Sequence, residues 1–228
     1  MSLMTFQLKF PNETACQEWL AQQRWGGKDK AICPHCGCKS CYQHKGIDRF
    51  TCKQCLKQFS VRYNTIFAES RLPLIKWFMA IYLFSTLKKG ISSLQLAKYL
   101  EIQQRTAWFL LQRIREAMKN NDNTPFSGIT KIDEACLGGS KTNKHLDKKT
   151  KDGKTAYKIN TNSIEGFWSQ LKRGFYGVYH WSSKKHIQRY INEFCYRYNN
   201  RLMNDIEIFA NWFGWCENKR VYYRCLVG

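Results

Sequence analysis

Apolar residues recur at helical spacing over most of this chain, and the polar stretches between them mark where the helices stop. In residues 1–31, Cys16, Trp19 and Leu20 fall at i, i+3 and i+4 and share one helix face as packing residues. Pro11-Asn12-Glu13-Thr14 can start that helix, and Gly26-Gly27 stops it. Residues 72–118 read as three helices. The first follows Pro73, carries Leu74, Trp77, Phe78, Ile81, Tyr82 and Phe84, and is apolar enough to be buried. Lys88-Lys89-Gly90 ends it, and Ser92 or Ser93 caps a second helix over 94–100. After a turn at 101–103 a third helix runs over 104–118, with Trp108, Leu111 and Ile114 inward. Further on, Ile164, Trp168 and Leu171 line one face of 161–174. Ile187, Ile191, Phe194 and Tyr198 form a stripe over 184–200 behind a Ser182 or Ser183 cap, and Ile206, Phe209, Trp212 and Phe213 mark a last helix over 204–216.

Strand patterns are few. Phe50, Phe59 and Val61 supply apolar strand positions, with an extended run expected over 59–67, and a second short run over 128–139 ends in Asp133-Glu134 and Gly138-Gly139. Residues 119–128 read as a linker by composition, and 141–158 is a Lys-rich polar tract. The longest apolar run, 77–84, is far too short to cross a bilayer, and residues 1–12 lack a signal-peptide core. A soluble, cytoplasmic protein without membrane contact is therefore expected.

Charge adds a partner to this picture. Lys and Arg number 37 against 17 Asp and Glu, a surplus of +20 that calls for a polyanion, with duplex DNA the first candidate. Two short helices joined by a tight turn, the second opening on Gln103, Gln104 and Arg105 and continuing to Arg113 and Arg115, form the pattern of a helix-turn-helix reader. The 141–158 lysines would add contacts to phosphate that are blind to sequence.

Eleven cysteines, an odd number, fall into a cluster over 33–55 and a scatter, a usage that suits metal binding in a reducing compartment better than a disulfide framework. Cys33-Pro34-His35-Cys36 and Cys52-Lys53-Gln54-Cys55 each bring two thiolates together, and two such knuckles close a tetrahedral zinc site. Cys33, Cys36, Cys52 and Cys55 are the expected ligands. Cys38 or Cys41, which form a further CxxC, could replace one of them. His35 and His44 are expected to be exposed rather than ligating. Four thiolates leave no open position, so this zinc is structural.

The stretch Thr161-Asn162-Ser163-Ile164-Glu165-Gly166-Phe167-Trp168-Ser169-Gln170-Leu171-Lys172-Arg173-Gly174 sets Glu165 and Lys172 seven positions apart, nearly two helical turns. A metal-binding carboxylate and a phosphate-seeking cation would then share a face.

These motifs in their order, together with Leu96-Ala97-Lys98, Thr106-Ala107-Trp108-Phe109, Ile132-Asp133-Glu134 and Tyr196-Arg197-Tyr198-Asn199-Asn200-Arg201, resemble the ISXO-type insertion-sequence transposases. The resemblance implies an α+β chain: an N-terminal helix and zinc ribbon over 1–68, a helix-turn-helix segment over 69–120, and an RNase H-like DDE domain over 121–228 that is mostly helical at its C-terminal end. It implies that Asp133 is the first metal-binding carboxylate, that Glu165, or alternatively Asn162, is the closing position, and that Lys172 and Arg173 lie near the DNA backbone. It also implies Mg²⁺ as the catalytic metal, terminal inverted repeats as the DNA, and room for a homo-oligomer. In an RNase H-like domain a second Asp stands on an inner strand between the other two positions. Only 31 residues, 134–164, separate Asp133 from Glu165, and their aspartates, Asp147 and Asp152, lack apolar strand neighbours. A transposase with a shortened catalytic segment is the leading expectation. The other two are a non-catalytic DNA-binding regulator or competitor, and a compact active site that recruits Glu134, Asp147 or Asp152.

Overall fold

Asn12 opens α2 (Glu13–Trp25) as a helix cap: its side-chain oxygen accepts from the Ala15 N–H at 2.9 Å, and Gly26 ends the helix in the left-handed region at φ 76°. The computed structural model describes residues 2–44, 48–119, 162–180, 182–214, 216 and 221–223, without the side chains at 162, 163 and 205. Asp133, the 128–139 run and the 141–158 tract lie outside the described residues. A helix that the apolar pattern does not show, α1 (Leu3–Lys9), precedes α2 behind a Ser2 cap. Its one buried side chain, Phe6, stacks on Tyr82 with centroids 4.9 Å apart.

Three short antiparallel strands follow, β1 (Cys41–Gln43), β2 (Phe50–Cys52) and β3 (Gln58–Phe59), in the order β1-β2-β3. Cys41 stands opposite Cys52 and Phe50 opposite Phe59. Ala31, Cys33, Phe50, Cys52 and Phe59 make a small core of their own, closed by Trp25, whose ring meets Phe50 edge-on at 5.2 Å. The extended run expected over 59–67 stops at Phe59, and residues 61–69 are turns apart from an isolated bridge at Thr65. The buried Thr65 hydroxyl donates to the Arg62 carbonyl at 2.6 Å and accepts from the Phe67 N–H at 3.2 Å, so local side-chain bonds bend the backbone away from a ladder. Val61 accordingly joins the main helical core rather than that of the ribbon.

Glu13 starts α3 (Leu74–Thr86) from a distance. Pro73 sits just outside the helix and offers no side-chain bond, while the Glu13 carboxylate accepts from the N–H groups of Leu74 and Ile75 at 2.8 and 3.1 Å and pairs with Arg62. A carboxylate is favoured at this end, where free N–H groups and the helix dipole attract negative charge. Ser92 caps α4 (Ser93–Leu100), Glu101 makes the turn at φ 50°, and α5 (Gln104–Ala117) follows. Then come α6 (Asn162–Gly174), which runs on into a π-helical turn at 175–179, α7 (Ile187–Asn199) and α8 (Asp205–Gly214).

The main core joins the two ends of the chain. Phe213 of α8 lies 4.7 Å from Phe78 of α3 and 4.3 Å from Trp19 of α2, and Phe209 also meets Phe6 and Phe10. The exposed Ile206 faces away from this cluster, and Trp108 is half-buried against His186 rather than inward. On α7 the buried residues are Tyr190, Glu193, Phe194, Tyr196 and Arg197, so that of the expected stripe Ile187, Ile191, Phe194 and Tyr198 only Phe194 is buried. A hydropathy pattern cannot find that set, because two of its members are charged and are buried only because they neutralise each other. Among the described residues all three strands belong to the Cys-rich ribbon.

Candidate metal centre and nucleic-acid interface

Each CxxC knuckle is shaped by a left-handed residue four positions after its first cysteine. Gly37, at φ 73°, donates its N–H to the Cys33 carbonyl at 2.9 Å, and Leu56, at φ 57°, donates to the Cys52 carbonyl at 3.0 Å. The strand register then sets the knuckles face to face. Cys33 Sγ lies 3.6 Å from Cys55 Sγ and Cys36 Sγ 3.5 Å from Cys52 Sγ, and all four sulfurs fall within 4.8 Å of one another. Sulfurs about 2.3 Å from a tetrahedral zinc stand roughly 3.8 Å apart, so the four thiols fit that ion with small adjustments. Backbone N–H groups of Cys55 and Gln54 lower the Cys52 thiol to about 6, whereas in Cys36 and Cys55 a backbone N–H bond is outweighed by desolvation and the neighbouring thiols, which raise both. Cys38 and Cys41 stay outside this group: Cys38 Sγ accepts from the Ser40 N–H at 3.3 Å, and Cys41 Sγ turns to the Cys38 carbonyl. His35 is exposed as expected, whereas His44 is half-buried with Nε2 2.7 Å from the Thr51 hydroxyl.

Along α5 the exposed residues concentrate in the first turn. Gln103, Gln104 and Arg105 are exposed, with Gln104 Nε2 3.4 Å from the Ser93 hydroxyl, while residues 110–115 are buried. Arg113 and Arg115 therefore cannot face DNA as the sequence pattern suggests. Arg113 is 3% exposed, donates to the Ala68 carbonyl at 2.7 Å and packs its guanidinium against the rings of Trp77 and Phe109. Arg115 is 1% exposed and donates through Nε to Glu193 Oε2 at 2.7 Å.

Glu193 is the buried carboxylate that sequence reasoning missed. Besides Arg115 it accepts from Arg197 Nε and Nη2 at 3.0 and 2.9 Å and from the Tyr179 hydroxyl at 2.6 Å. Burial works against its ionisation, but Arg115 and Arg197 outweigh it and hold the carboxyl below the usual range, while burial and Glu193 push the Tyr179 phenol up. Arg197 also donates to the Leu87 carbonyl at 2.8 Å, tying α7 to the end of α3. The motif around Tyr196 is thus largely structural: Arg201 donates to the Tyr198 carbonyl at 2.7 Å and Asn200 to that of Tyr196 at 2.8 Å. Two glycines permit the close approaches. A Cβ at Gly90, which has φ 92°, would overlap the Tyr179 hydroxyl, and one at Gly174 would overlap the Phe194 ring.

On α6, Glu165 and Arg173 are exposed and Lys172 is half-buried, while Leu171 is buried and Ile164 and Trp168 half-buried against the rest. Arg173 and Gln170 share a cleft of about 240 Å³ with Lys88 and Lys89, the pair that appeared in the sequence only as a helix terminator. Among the described residues the four thiols are the group of three or more side chains able to hold a metal. Glu165 stands in no such group, and Asp133 and the Asn162 side chain lie outside the described residues.

Residues 11–58 match the family model for a transposase zinc-ribbon domain, and residues 141–199 match that for an ISXO2-like transposase domain. The second stretch contains Asn162, Glu165, Lys172 and Arg173. Asp133 and the α3–α5 segment fall between the two. Over 128 residues, 55% of the chain, the sequence is 29% identical to a protein of Halobacterium salinarum described as an uncharacterized protein in transposable element ISH50. That match covers 42% of the relative's own length. No solved structure matches. No helix among the described residues is long and apolar enough to cross a membrane. Two stretches of the chain are thus similar, in order, to the zinc-ribbon and ISXO2-like domains of transposases, and the chain spans less than half the length of the relative it matches.

Proposed function

We propose that the protein binds the DNA at the ends of an insertion sequence and is a transposase whose catalytic centre is incomplete. The observation that supports this best is the exposure pattern of α5. Gln103, Gln104 and Arg105 lie open at its first turn while its second half is buried, and in a helix-turn-helix the N-terminal residues of the second helix are the ones that reach base edges. The surplus of +20 supplies the phosphate attraction. Lys172 and Arg173 on α6, with Lys88 and Lys89 across the cleft, would contribute contacts blind to sequence.

For the chemistry, the family's two-metal mechanism needs carboxylates on rigid elements that hold both ions. Glu165, with Asn162 as the alternative, is the closing candidate and Asp133 the first. The 31 residues between Asp133 and Glu165 leave little chain for the strand that would bear a second Asp. Among the described residues Glu165 joins no group of side chains able to hold a metal.

Two measurements test the proposal. Binding of the zinc-loaded chain to inverted-repeat and unrelated duplexes at two salt concentrations should show salt-sensitive affinity. A Gln104→Ala, Arg105→Ala variant should erase the preference for the repeat, and an unchanged preference would move the reading head elsewhere. Incubation of pre-cut inverted-repeat DNA with Mg²⁺ or Mn²⁺ should give no strand cleavage or joining. Activity that disappears in Glu165→Gln would show that the centre is complete.

A further inference from the structure

Behind the exposed first turn of α5 lies a cavity of about 340 Å³, at the lower end of the range for small-molecule sites (roughly 300–1,000 Å³). Its walls come from four elements: Ser92 at the cap of α4, Gln104 and Trp108 of α5, Tyr179 and His180 at the end of the π-helical turn, and Tyr190 of α7, with Arg115 also lining it. Neither the helix-turn-helix assignment nor the α6 carboxylate uses it.

Three independent observations point to a ligand. First, Arg115 is 1% exposed, its guanidinium lies 4.1 Å over the Tyr190 ring, and among the described residues its Nη2 has no hydrogen-bond partner although Nε is bonded to Glu193. A buried, charged donor left unmet is rare and costly, and an anionic oxygen entering the cavity would satisfy it. Two arginines, Arg115 and Arg197, face the single carboxylate of Glu193, so the local charge favours an anion. Second, the walls combine aromatic rings with a hydroxyl, a carboxamide and an imidazole, the mixture that stacks on a base and bonds its edge. Third, the wall is strained where it meets the cavity. The chain makes a π-helical turn at 175–179 and then holds His180 at φ 59°, ψ −43°. Single π turns and positive φ at non-glycine residues concentrate at functional sites.

We propose that this cavity is a nucleotide site that accepts one unpaired nucleotide, its phosphate toward Arg115 and its base against Trp108. That the nucleotide belongs to DNA rests on the DNA-binding reading above. The cavity is partly formed by Gln104, one of the expected base readers, so DNA docked on the first turn of α5 runs past its mouth. A duplex is too broad to enter, whereas a nucleotide at a frayed end, an overhang or a bulge can swing out of the stack and in.

The test compares blunt duplexes with otherwise identical duplexes carrying a one-nucleotide 3′ overhang or bulge, using the zinc-loaded full chain and, in parallel, equilibrium dialysis of free thymidine 5′-monophosphate. The unpaired nucleotide should tighten binding at least about fivefold, a gain in the range of stacking one base on an aromatic side chain. Trp108→Leu should remove that gain and leave blunt-duplex affinity unchanged, Trp108→Phe should retain it, and His180→Gly, which relaxes the backbone and so folds readily, should alter it. Equal affinity for blunt and unpaired DNA, or a gain that survives Trp108→Leu, overturns the proposal while leaving duplex binding in place. Failure to bind any DNA sinks the function reading instead. In that case the site stands if the free monophosphate binds in a Trp108-dependent way and falls if it does not.

Discussion

Leu56 stands in the left-handed region at φ 57° with its side chain 75% exposed, in the position that glycine holds in the first knuckle. An L-residue there costs roughly 1–2 kcal/mol of local strain, and the exposed side chain returns little of it. Leu56→Gly is expected to raise the stability of the zinc-bound ribbon by up to about 1 kcal/mol, and Gly37→Ala to lower it by a similar amount, both read from resistance of the metal to a competing chelator. Glu193 is the opposite kind of residue, one whose surroundings are complete. Its folded-state pKa lies below the unfolded value of about 4.3. Its contribution to stability is therefore present above that pH and is lost as pH falls through the folded pKa. Glu193→Gln should destabilise the fold by about 3–5 kcal/mol at neutral pH, because it leaves Arg115 and Arg197 buried without their counter-ion. The variant should also lose this part of the acid dependence, measured by urea denaturation between pH 3 and 7. A loss under about 1 kcal/mol would mean that the arginines find other partners.

At the scale of elements, the ribbon and the helices have separate cores that meet at Trp25, which packs against both. The ribbon's own apolar content is small, so metal binding is expected to supply much of its folding free energy. Chelation of zinc should melt the ribbon and expose Trp25, shifting its fluorescence to the red, while most of the helical circular dichroism persists. Loss of all helical signal in one transition would show that the ribbon and the bundle fold as a single unit. A Cys52→Ser variant should reproduce the chelated state without a chelator.

Over the whole molecule, α8 returns from the C-terminal end to the N-terminal helices, so Phe209 and Phe213 complete the core that α1, α2 and α3 begin. Phe213→Ala should therefore cost about 3–5 kcal/mol, detectable in thermal unfolding of the full chain. A near-neutral effect would mean that α8 is not part of this core in solution. The same closure predicts that a fragment ending near residue 120 exposes Phe78 and Trp19, the partners of Phe213, and folds poorly by itself. DNA-binding measurements belong on the intact chain for this reason.

What the sequence determined by itself was whatever is encoded locally. The two CxxC knuckles, the Asn12 and Ser92 caps, the helical spacings of α3, α5 and α8 and the excess of positive charge depend on residues a few positions apart, and spacing reveals them. The stretches similar to transposase domains were legible for the same reason. Tertiary structure alone decided which charges are available. Arg113 and Arg115 look in sequence like further DNA contacts, yet an Ala68 carbonyl 45 positions away and a Glu193 carboxylate 78 positions away draw them inside. Glu193 itself reads as a surface residue, because a hydropathy pattern scores each charge alone and cannot see that opposite charges cancel when folding brings them together. Glu13, a residue in the first turn of α2, serves as the cap of α3 on the same principle. The nucleotide-sized cavity belongs to this second class, since its walls come from four elements that only the packing of α5 against α7 brings together.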